Sequence, residues 1–342
     1  MTTHSQEPPR SMLHISRRYR PPLLFHPITP FLCARSPTSR LVSIHTYLTS
    51  AFFFNPNSSR MIQDTYSEVQ SRYGSIAKQT NADTNQNKDG TEDKLAQAFG
   101  YTAAELSSLP GKANLGLSCG NPIAFANLKP GETIVDLGSG GGIDVFLAAR
   151  KVGPEGRAIG VDMTEEMITL ATANAKKANL PNNQVQFIKA SITSVPLPES
   201  SADCIISNCV INLVPKEEKP AVFAEIARLL KPGGRVAISD ILARKPLSPA
   251  LVSDIALYVG CVAGASLVEE YEDSLGRTGL RDVLVVDTKA DINLYKQTLD
   301  SCPADSCCAP KESVRIPAAN FTDVDFNEWV GSFQIYAVKG SF

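Results

Sequence analysis

Histidine is scarce in the chain and absent from its main part. All four histidines (His4, His14, His26 and His45) lie within the first 45 of 342 residues. The rest of the sequence therefore offers no histidine for general-base catalysis, for a Ser-His-Asp or Cys-His nucleophile, or for zinc ligation. Chemistry there must depend on carboxylates, hydroxyls, thiols or a bound cofactor.

The sequence also lacks long apolar runs, and the residues after position 60 have no excess of basic side chains. No segment approaches the roughly 20 consecutive apolar residues of a membrane span. The net charge is −2, but residues 1–60 carry seven Arg and one Glu, with no Lys or Asp, and sum to +6. The remaining residues therefore carry −8, whereas a surface that follows nucleic-acid phosphates needs clustered Lys and Arg. The sequence predicts neither a membrane nor a nucleic-acid partner.

Paired C-x-x-C spacings are absent as well, which argues against a structural zinc ribbon. The chain is long enough to bury a core without a disulfide framework, so reduced thiols in an intracellular protein are expected. Eight cysteines are present: Cys33, Cys119, Cys204, Cys209, Cys261, Cys302, Cys307 and Cys308.

The composition changes near residue 60. Residues 1–60 are rich in Arg, Ser and Pro, which fits either a mitochondrial transit peptide or a gene start extended upstream of Met61. In both cases we expect a disordered basic extension, with the protein cytoplasmic, or mitochondrial if the extension is a transit peptide. Residues 61–245 are expected to form the main domain with an N-terminal helical cap, and residues 246–342 a C-terminal region that completes the sheet.

From Gly131 onward, short apolar strands alternate with helical segments. This pattern predicts an α/β fold, a doubly wound, mostly parallel, seven-stranded Rossmann-like sheet. The expected strands are Thr133–Leu137, Ala158–Val161, Val185–Ile188, Cys204–Ser207, Val236–Ile241, Val283–Val286 and Phe333–Val338.

A glycine loop follows the first strand and predicts a cofactor site. It reads Asp136-Leu-Gly138-Ser-Gly140-Gly-Gly142, and position 143 is Ile rather than the third glycine of a G-x-G-x-x-G dinucleotide loop. The G-x-G-x-G form after an acid is typical of methyltransferases that use S-adenosylmethionine (AdoMet). Asp162 closes the second strand, where a carboxylate can accept both ribose hydroxyls. Met163 and Asn208 are assigned to the same site.

Three cysteines have settings that ordinary core packing does not require. Cys209 follows the fourth strand, at the sheet edge where ligands bind in open α/β folds. Cys119 and Cys261 lie in glycine-bearing segments, Leu117-Ser-Cys-Gly-Asn-Pro122 and Tyr258-Val-Gly-Cys-Val-Ala-Gly264. Each could be a small buried hydrophobe, as we expect for Cys204. If the three converge, they form a soft site for a thiophilic ion.

The sequence resembles the arsenite methyltransferase family over roughly residues 61–342. The motifs that carry the resemblance are Asn114–Pro122, Asp136–Gly142, Ile159–Met163, Ile206–Leu213 and Tyr258–Cys261. The resemblance implies that Cys119, Cys209 and Cys261 are the catalytic thiolates that hold As(III), which takes the AdoMet methyl directly. It also implies arsenite and methylarsenite as thiol complexes, a thiol reductant such as glutathione or thioredoxin, and a monomeric enzyme.

The chain departs from the family at one point. The family often carries a further upstream cysteine, whereas residues 61–118 contain none. The pair Cys307–Cys308 fits three roles: a substitute for that cysteine, an arsenic trap, or ordinary loop thiols. Two other functions share the cofactor motifs: AdoMet-dependent methylation of carbon or oxygen in a small organic acceptor such as a quinone or sterol, and non-enzymatic metalloid binding with AdoMet as a structural ligand.

Overall fold

The expected alternation of strands and helices is present in the computed structural model, which describes residues 56–82, 90–254, 257–258, 260–296 and 323–341. The strands are β1 Thr133–Leu137, β2 Arg157–Asp162, β3 Val185–Lys189, β4 Ala202–Asn208, β5 Leu230–Ala243, β6 Leu280–Asp287 and β7 Val330–Lys339. They form one sheet of order β3-β2-β1-β4-β5-β7-β6, in which only β7 runs antiparallel to its neighbours β5 and β6. The predicted seven-stranded, mostly parallel sheet is confirmed.

The helices connect the strands and cover both faces of the sheet. They are α1 Pro56–Ala82, α2 Thr91–Ala98, α3 Ala103–Ser107, α4 Pro122–Phe125, α5 Ile143–Val152, α6 Glu165–Lys177, α7 Lys219–Leu229, α8 Pro249–Val252 and α9 Val268–Arg277. Short 3-10 turns occupy Ile211–Leu213 and Phe326–Glu328. None of the helices in the described ranges is long and apolar enough to cross a membrane.

Two hydrophobic cores lie on opposite faces of the sheet because neighbouring side chains of a strand point to opposite sides. In β1, Ile134 packs with Val145 of α5, whereas Val135 packs with Phe223 of α7. Both side chains are almost fully buried. Helices on both faces account for the continuous apolar run of the strand. The parallel order brings the carboxyl ends of β1, β2, β4 and β5 to one edge.

The N-terminal helix α1 begins at Pro56, upstream of Met61. Proline is favoured in the first turn of a helix, where its missing N–H has no intrahelical partner to lose. The described residues belong to one compact unit. Of the extension predicted over residues 1–60, residues 56–60 are helical rather than disordered, because they form the first turn of α1. Residues 1–55 lie outside the described residues, as do Cys33, Cys302, Cys307 and Cys308.

Candidate active site

The glycine loop turns the chain sharply between β1 and α5. Gly138, Gly140 and Gly142 have φ angles of 84°, 50° and 96°, in the region that favours glycine. A Cβ on Gly138 would lie 2.3 Å from a methyl carbon of Val210. The loop therefore passes directly against the turn that follows β4.

Asp162, at the end of β2, holds the glycine loop by hydrogen bonds. One carboxylate oxygen accepts a hydrogen bond from the Gly140 N–H (3.0 Å), and the other accepts one from the Thr164 N–H (2.8 Å). Burial raises the pKa of Asp162, and these hydrogen bonds oppose the shift. The Thr164 side chain and the Met163 N–H also interact with this carboxylate, so a ligand hydroxyl would share or replace some of these hydrogen bonds.

Two buried carboxylates, Asp136 and Asp144, lie beside this loop. Asp136 is buried at the end of β1, and its pKa is raised well above the usual range by burial and by the neighbouring Asp144 and Asp162. Burial raises the pKa of Asp144 to about 6, although Asn208 and Tyr101 donate hydrogen bonds to it. A cationic ligand would stabilise the ionised forms of these groups.

Asn208 connects the Cys119 segment to the glycine-loop helix. Its Nδ2 lies 2.8 Å from the Tyr101 hydroxyl, 2.8 Å from the Gly120 carbonyl and 3.1 Å from Asp144 Oδ2. Its Oδ1 accepts a hydrogen bond from the Cys119 N–H at 3.2 Å. Asn208 also lines the cleft beside the loop, but its amide hydrogens bond to protein atoms. Its contacts in this structure are therefore those of a residue that positions others.

Cys119 is fully buried in a segment with fixed backbone geometry. The Ser332 hydroxyl donates a hydrogen bond to the Cys119 carbonyl at 2.6 Å. Gly120, the next residue, lies so close to β5 that a Cβ there would be 2.6 Å from the Ser239 Cβ. The glycine beside Cys119 thus permits the close approach that the sequence indicated.

Cys209 and Cys261 both have backbone conformations that non-glycine residues rarely adopt. Their φ angles are 59° and 66°, which cost about 1–3 kcal/mol each. The Cys209 N–H donates to the Ser239 carbonyl at 2.8 Å, and the Cys261 Sγ lies 2.8 Å from the Cys209 carbonyl oxygen. Such strain is concentrated at functional sites.

Cys209 contacts both of the other two cysteines. The Sγ atoms of Cys119 and Cys209 and a carboxylate oxygen of Asp240 lie within 4.8 Å of one another. Cys261 is outside that group, and its thiol donates to the Cys209 carbonyl. Cys204 packs elsewhere, in the core beneath α5.

Burial keeps these thiols neutral in the free protein. It raises the pKa of Cys119 to about 12 and the pKa of Cys209 well above its usual range. The pKa of Cys261 is also raised, first by its hydrogen bond with Cys209 and then by burial. The site is therefore suited to a ligand that exchanges with thiol protons and forms a neutral product.

A buried polar network behind the thiols was not anticipated from the sequence. Asp240 of β5 accepts hydrogen bonds from Asn212 Nδ2 (3.0 Å) and the Tyr271 hydroxyl (2.7 Å). Lys219 donates to Asn212 Oδ1 (3.3 Å) and the Gly264 carbonyl (2.5 Å). The one sequence signal for this network was Asp240, a carboxylate within the apolar run of β5. The network ties the segment after Cys261 to the turn after Cys209.

Two adjacent cavities meet at Cys209. The larger encloses about 930 Å³ of space, part of which is open to solvent. It is lined by the glycine loop, by Asp162 and Met163, by Asn208, and by side chains of α1. The smaller is lined by Cys209, Cys261 and Tyr295. Both cavities share Tyr73, Leu117 and Cys209, so Cys209 lies between the two.

Comparison with known proteins identifies the family. Residues 128–279 match a family model described as a methyltransferase domain. The arsenite methyltransferase of Halobacterium salinarum is 39% identical over 281 residues, which cover 80% of this chain and 71% of that protein. The chain belongs to the arsenite methyltransferase family. It is an AdoMet-dependent methyltransferase, as its glycine loop predicted.

Two further comparisons extend this result. The arsenite methyltransferase of Aquipseudomonas alcaligenes is 38% identical over 166 residues, which cover 47% of this chain and 47% of that protein. A Haemonchus contortus phosphoethanolamine N-methyltransferase structure, with phosphomonomethylethanolamine and S-adenosylhomocysteine bound, has a TM-score of 0.50 at 17% identity. That alignment covers 74% of this chain and 59% of that one, and it confirms the fold of this arsenite methyltransferase family member.

Substitution of Gly138 tests the loop. We expect Gly138→Ala to raise the dissociation constant for AdoMet at least about tenfold, because a strained positive φ costs about 1–3 kcal/mol and the methyl would overlap Val210. Isothermal titration calorimetry measures the change. Gly276→Ala is the control, because no atom lies within 4 Å of the Cβ that it would add in α9. Wild-type affinity in Gly138→Ala would remove the loop from the cofactor site.

Proposed function

We propose that the enzyme transfers the AdoMet methyl group to As(III) held by Cys119, Cys209 and Cys261. The position of Cys209 between the two cavities carries this proposal. A metalloid bound to its sulfur lies beside the cofactor cleft without a separate docking step. Arsenite and methylarsenite, delivered as thiol complexes, are the substrates.

AdoMet would occupy the larger cavity. Its ribose hydroxyls would bond to Asp162, whose carboxylate lines this cavity. The glycines at 138, 140 and 142 give the backbone the close approach that the cofactor needs. Asp136 and Asp144 favour the positive charges of the cofactor. Met163 and Asn208 line the same cavity.

Arsenic binding proceeds by ligand exchange. Each cysteine sulfur forms a bond to arsenic, and its proton leaves with a departing hydroxide as water or with a small thiolate as a thiol. As(III) bound to three cysteine sulfurs is neutral, so the complex adds no charge to the buried site. To complete the trio, the Cys261 thiol must leave the Cys209 carbonyl. Soft sulfur ligands suit this thiophilic ion.

Methyl transfer then needs no general base. Pyramidal As(III) keeps a lone pair, which forms the As–C bond while the C–S bond electrons remain on sulfur and S-adenosylhomocysteine leaves in line. Orientation of the reactants supplies the main rate acceleration, up to roughly 7–11 kcal/mol in well-aligned systems. Arsenic is oxidised by two electrons in this step. Two thiol groups, from two glutathione molecules or from the dithiol of thioredoxin, return these electrons as they form a disulfide. We expect a monomeric cytoplasmic enzyme.

The substrate dependence of cysteine variants tests the three-thiol site. We expect Cys119→Ser to lose methylation of inorganic arsenite while retaining much of the methylation of methylarsenite. The reason is that methylarsenite already has one carbon ligand and needs only two sulfurs. Cys261→Ser should lose both activities. Initial rates with the two substrates, at equal AdoMet occupancy, measure the difference. Equal losses of both activities in Cys119→Ser would contradict this division of roles.

A further inference from the structure

We propose that Cys119, Cys209 and Asp240 form an alternative site for a thiophilic divalent cation such as Cd²⁺ or Zn²⁺. Two of these residues belong to the proposed arsenic site, so a bound cation would exclude arsenic. That inhibitory consequence rests on the proposed function. The cation site itself rests on the arrangement of the three side chains.

The donor atoms are already gathered. The two Sγ atoms and the carboxylate oxygen lie within 4.8 Å of one another, so small side-chain movements would bring them to the ligand spacing of a tetrahedral cation. Cys119 and Asp240 are fully buried, and only 5% of Cys209 is exposed. Two thiolates and a carboxylate are a donor set that zinc takes in proteins, with a fourth position for water.

Cys261 is not part of this arrangement. Its thiol is hydrogen-bonded to the Cys209 carbonyl, outside the group of three donors. Arsenic requires the Cys261 thiol to move, whereas the divalent site uses side chains that are already close together. The two ions would therefore share Cys119 and Cys209 and differ in the third ligand.

Asp240 has a lone pair for a cation. Its Oδ1 accepts hydrogen bonds from Asn212 and from the Ile241 N–H, whereas its Oδ2 accepts one from the Tyr271 hydroxyl. A carboxylate oxygen offers two lone pairs, so Oδ2 can bond to one further partner. The existing hydrogen bonds fix the orientation of the carboxylate, as is typical around metal ligands.

The local charge also favours a divalent ion. Cation binding releases the two thiol protons, and two thiolates with the Asp240 carboxylate then carry −3. Buried Lys219, which interacts electrostatically with Asp240, contributes +1. A divalent cation brings the sum to zero, whereas a monovalent or trivalent ion leaves a net charge in a buried site. As(III) with three cysteine sulfurs instead leaves the Asp240–Lys219 charges balanced.

Cadmium titration of the full-length enzyme tests this site with two variants that should affect cadmium and arsenite in opposite ways. We follow the thiolate-to-cadmium charge-transfer absorbance and measure retained arsenite in parallel. Asp240→Asn should weaken Cd²⁺ binding at least about tenfold and weaken arsenite binding less. Cys261→Ser should weaken arsenite binding more than Cd²⁺ binding. Cys204→Ser, which removes a buried thiol in a separate core, should leave both affinities unchanged. Equal effects of Asp240→Asn and Cys261→Ser on Cd²⁺ would overturn the proposal.

X-ray absorption on the wild-type cadmium complex provides a test that does not depend on the folding of any variant. We expect two sulfur ligands, with the rest of the shell made of oxygen. Three or more sulfur ligands would overturn the Asp240 site. The two proposals fail separately, because cadmium can bind in this way in an enzyme that does not methylate arsenic. Conversely, arsenic can be methylated in an enzyme whose cadmium shell contains Cys261.

Discussion

A Cys209→Ser variant is expected to lose methylation of every arsenic substrate by at least about 100-fold, the upper range for disruption of a metal site. Serine oxygen is a hard donor that does not replace a soft thiolate on arsenic. AdoMet affinity should remain near wild type, because Cys209 contributes only part of the cofactor cavity wall. Initial rates by arsenic speciation, together with calorimetry of AdoMet binding, measure the two effects separately.

The matched control is Cys204→Ser. Both cysteines are buried, and Cys204 lies in β4, the strand that leads to Cys209. Cys204 packs beneath α5, so its substitution should lower the melting temperature without changing the rate per folded molecule. Arsenite methylation at the wild-type rate in Cys209→Ser would remove Cys209 from the arsenic site and would contradict the proposed three-thiol arrangement.

An Asp162→Ala variant is expected to raise the dissociation constant for AdoMet by about 10–100-fold, since a hydrogen bond to a charged group contributes about 1.5–3 kcal/mol. The structure adds a second cause. The carboxylate also accepts hydrogen bonds from Gly140 and Thr164, so its removal loosens the glycine loop. Asp162→Asn keeps one acceptor oxygen and should show an intermediate loss by calorimetry.

Asp203→Asn serves as the control for Asp162. Asp203 lies in β4 near its start and bonds to the Thr133 N–H and to Lys231, at the opposite edge of the sheet from the glycine loop. Its substitution should cost stability and leave AdoMet affinity unchanged. If Asp162→Ala binds AdoMet like the wild type, the ribose is held elsewhere.

The sequence predicts those features that depend on local patterns. Strand β1 was predicted with the bounds that the structure shows, because a short apolar run followed by glycines permits few alternatives. Strand β5 was predicted as Val236–Ile241 but spans Leu230–Ala243, through Lys231-Pro-Gly-Gly234. Leu230 pairs with Ala202 and Arg235 with Cys204, with a register shift between the two pairs. The proline and glycines therefore form an irregular segment within the strand, in which Gly233 has a φ of 77°.

Features that depend on distant contacts could not be predicted. The approach of Tyr73 to the thiols depends on how α1 packs over the sheet, and the sequence of α1 does not specify this. The role of Lys219 likewise emerges only when Gly264 and Asn212 are brought beside it. The predicted sheet topology placed Cys209 at the same sheet edge as the structure does. The contacts of Cys209 with the other two cysteines, however, depend on side-chain positions that the spacing of cysteines along the sequence does not encode.

Product analysis tests arsenic methylation most directly. Full-length enzyme is incubated with arsenite, glutathione and AdoMet, and the arsenic species are separated by chromatography with element-specific detection while S-adenosylhomocysteine is quantified. We predict methylated arsenicals, with one S-adenosylhomocysteine formed for each As–C bond, and no such products from Cys209→Ser. S-adenosylhomocysteine that accumulates only with an organic acceptor, while arsenic remains unmethylated, would contradict the proposed reaction.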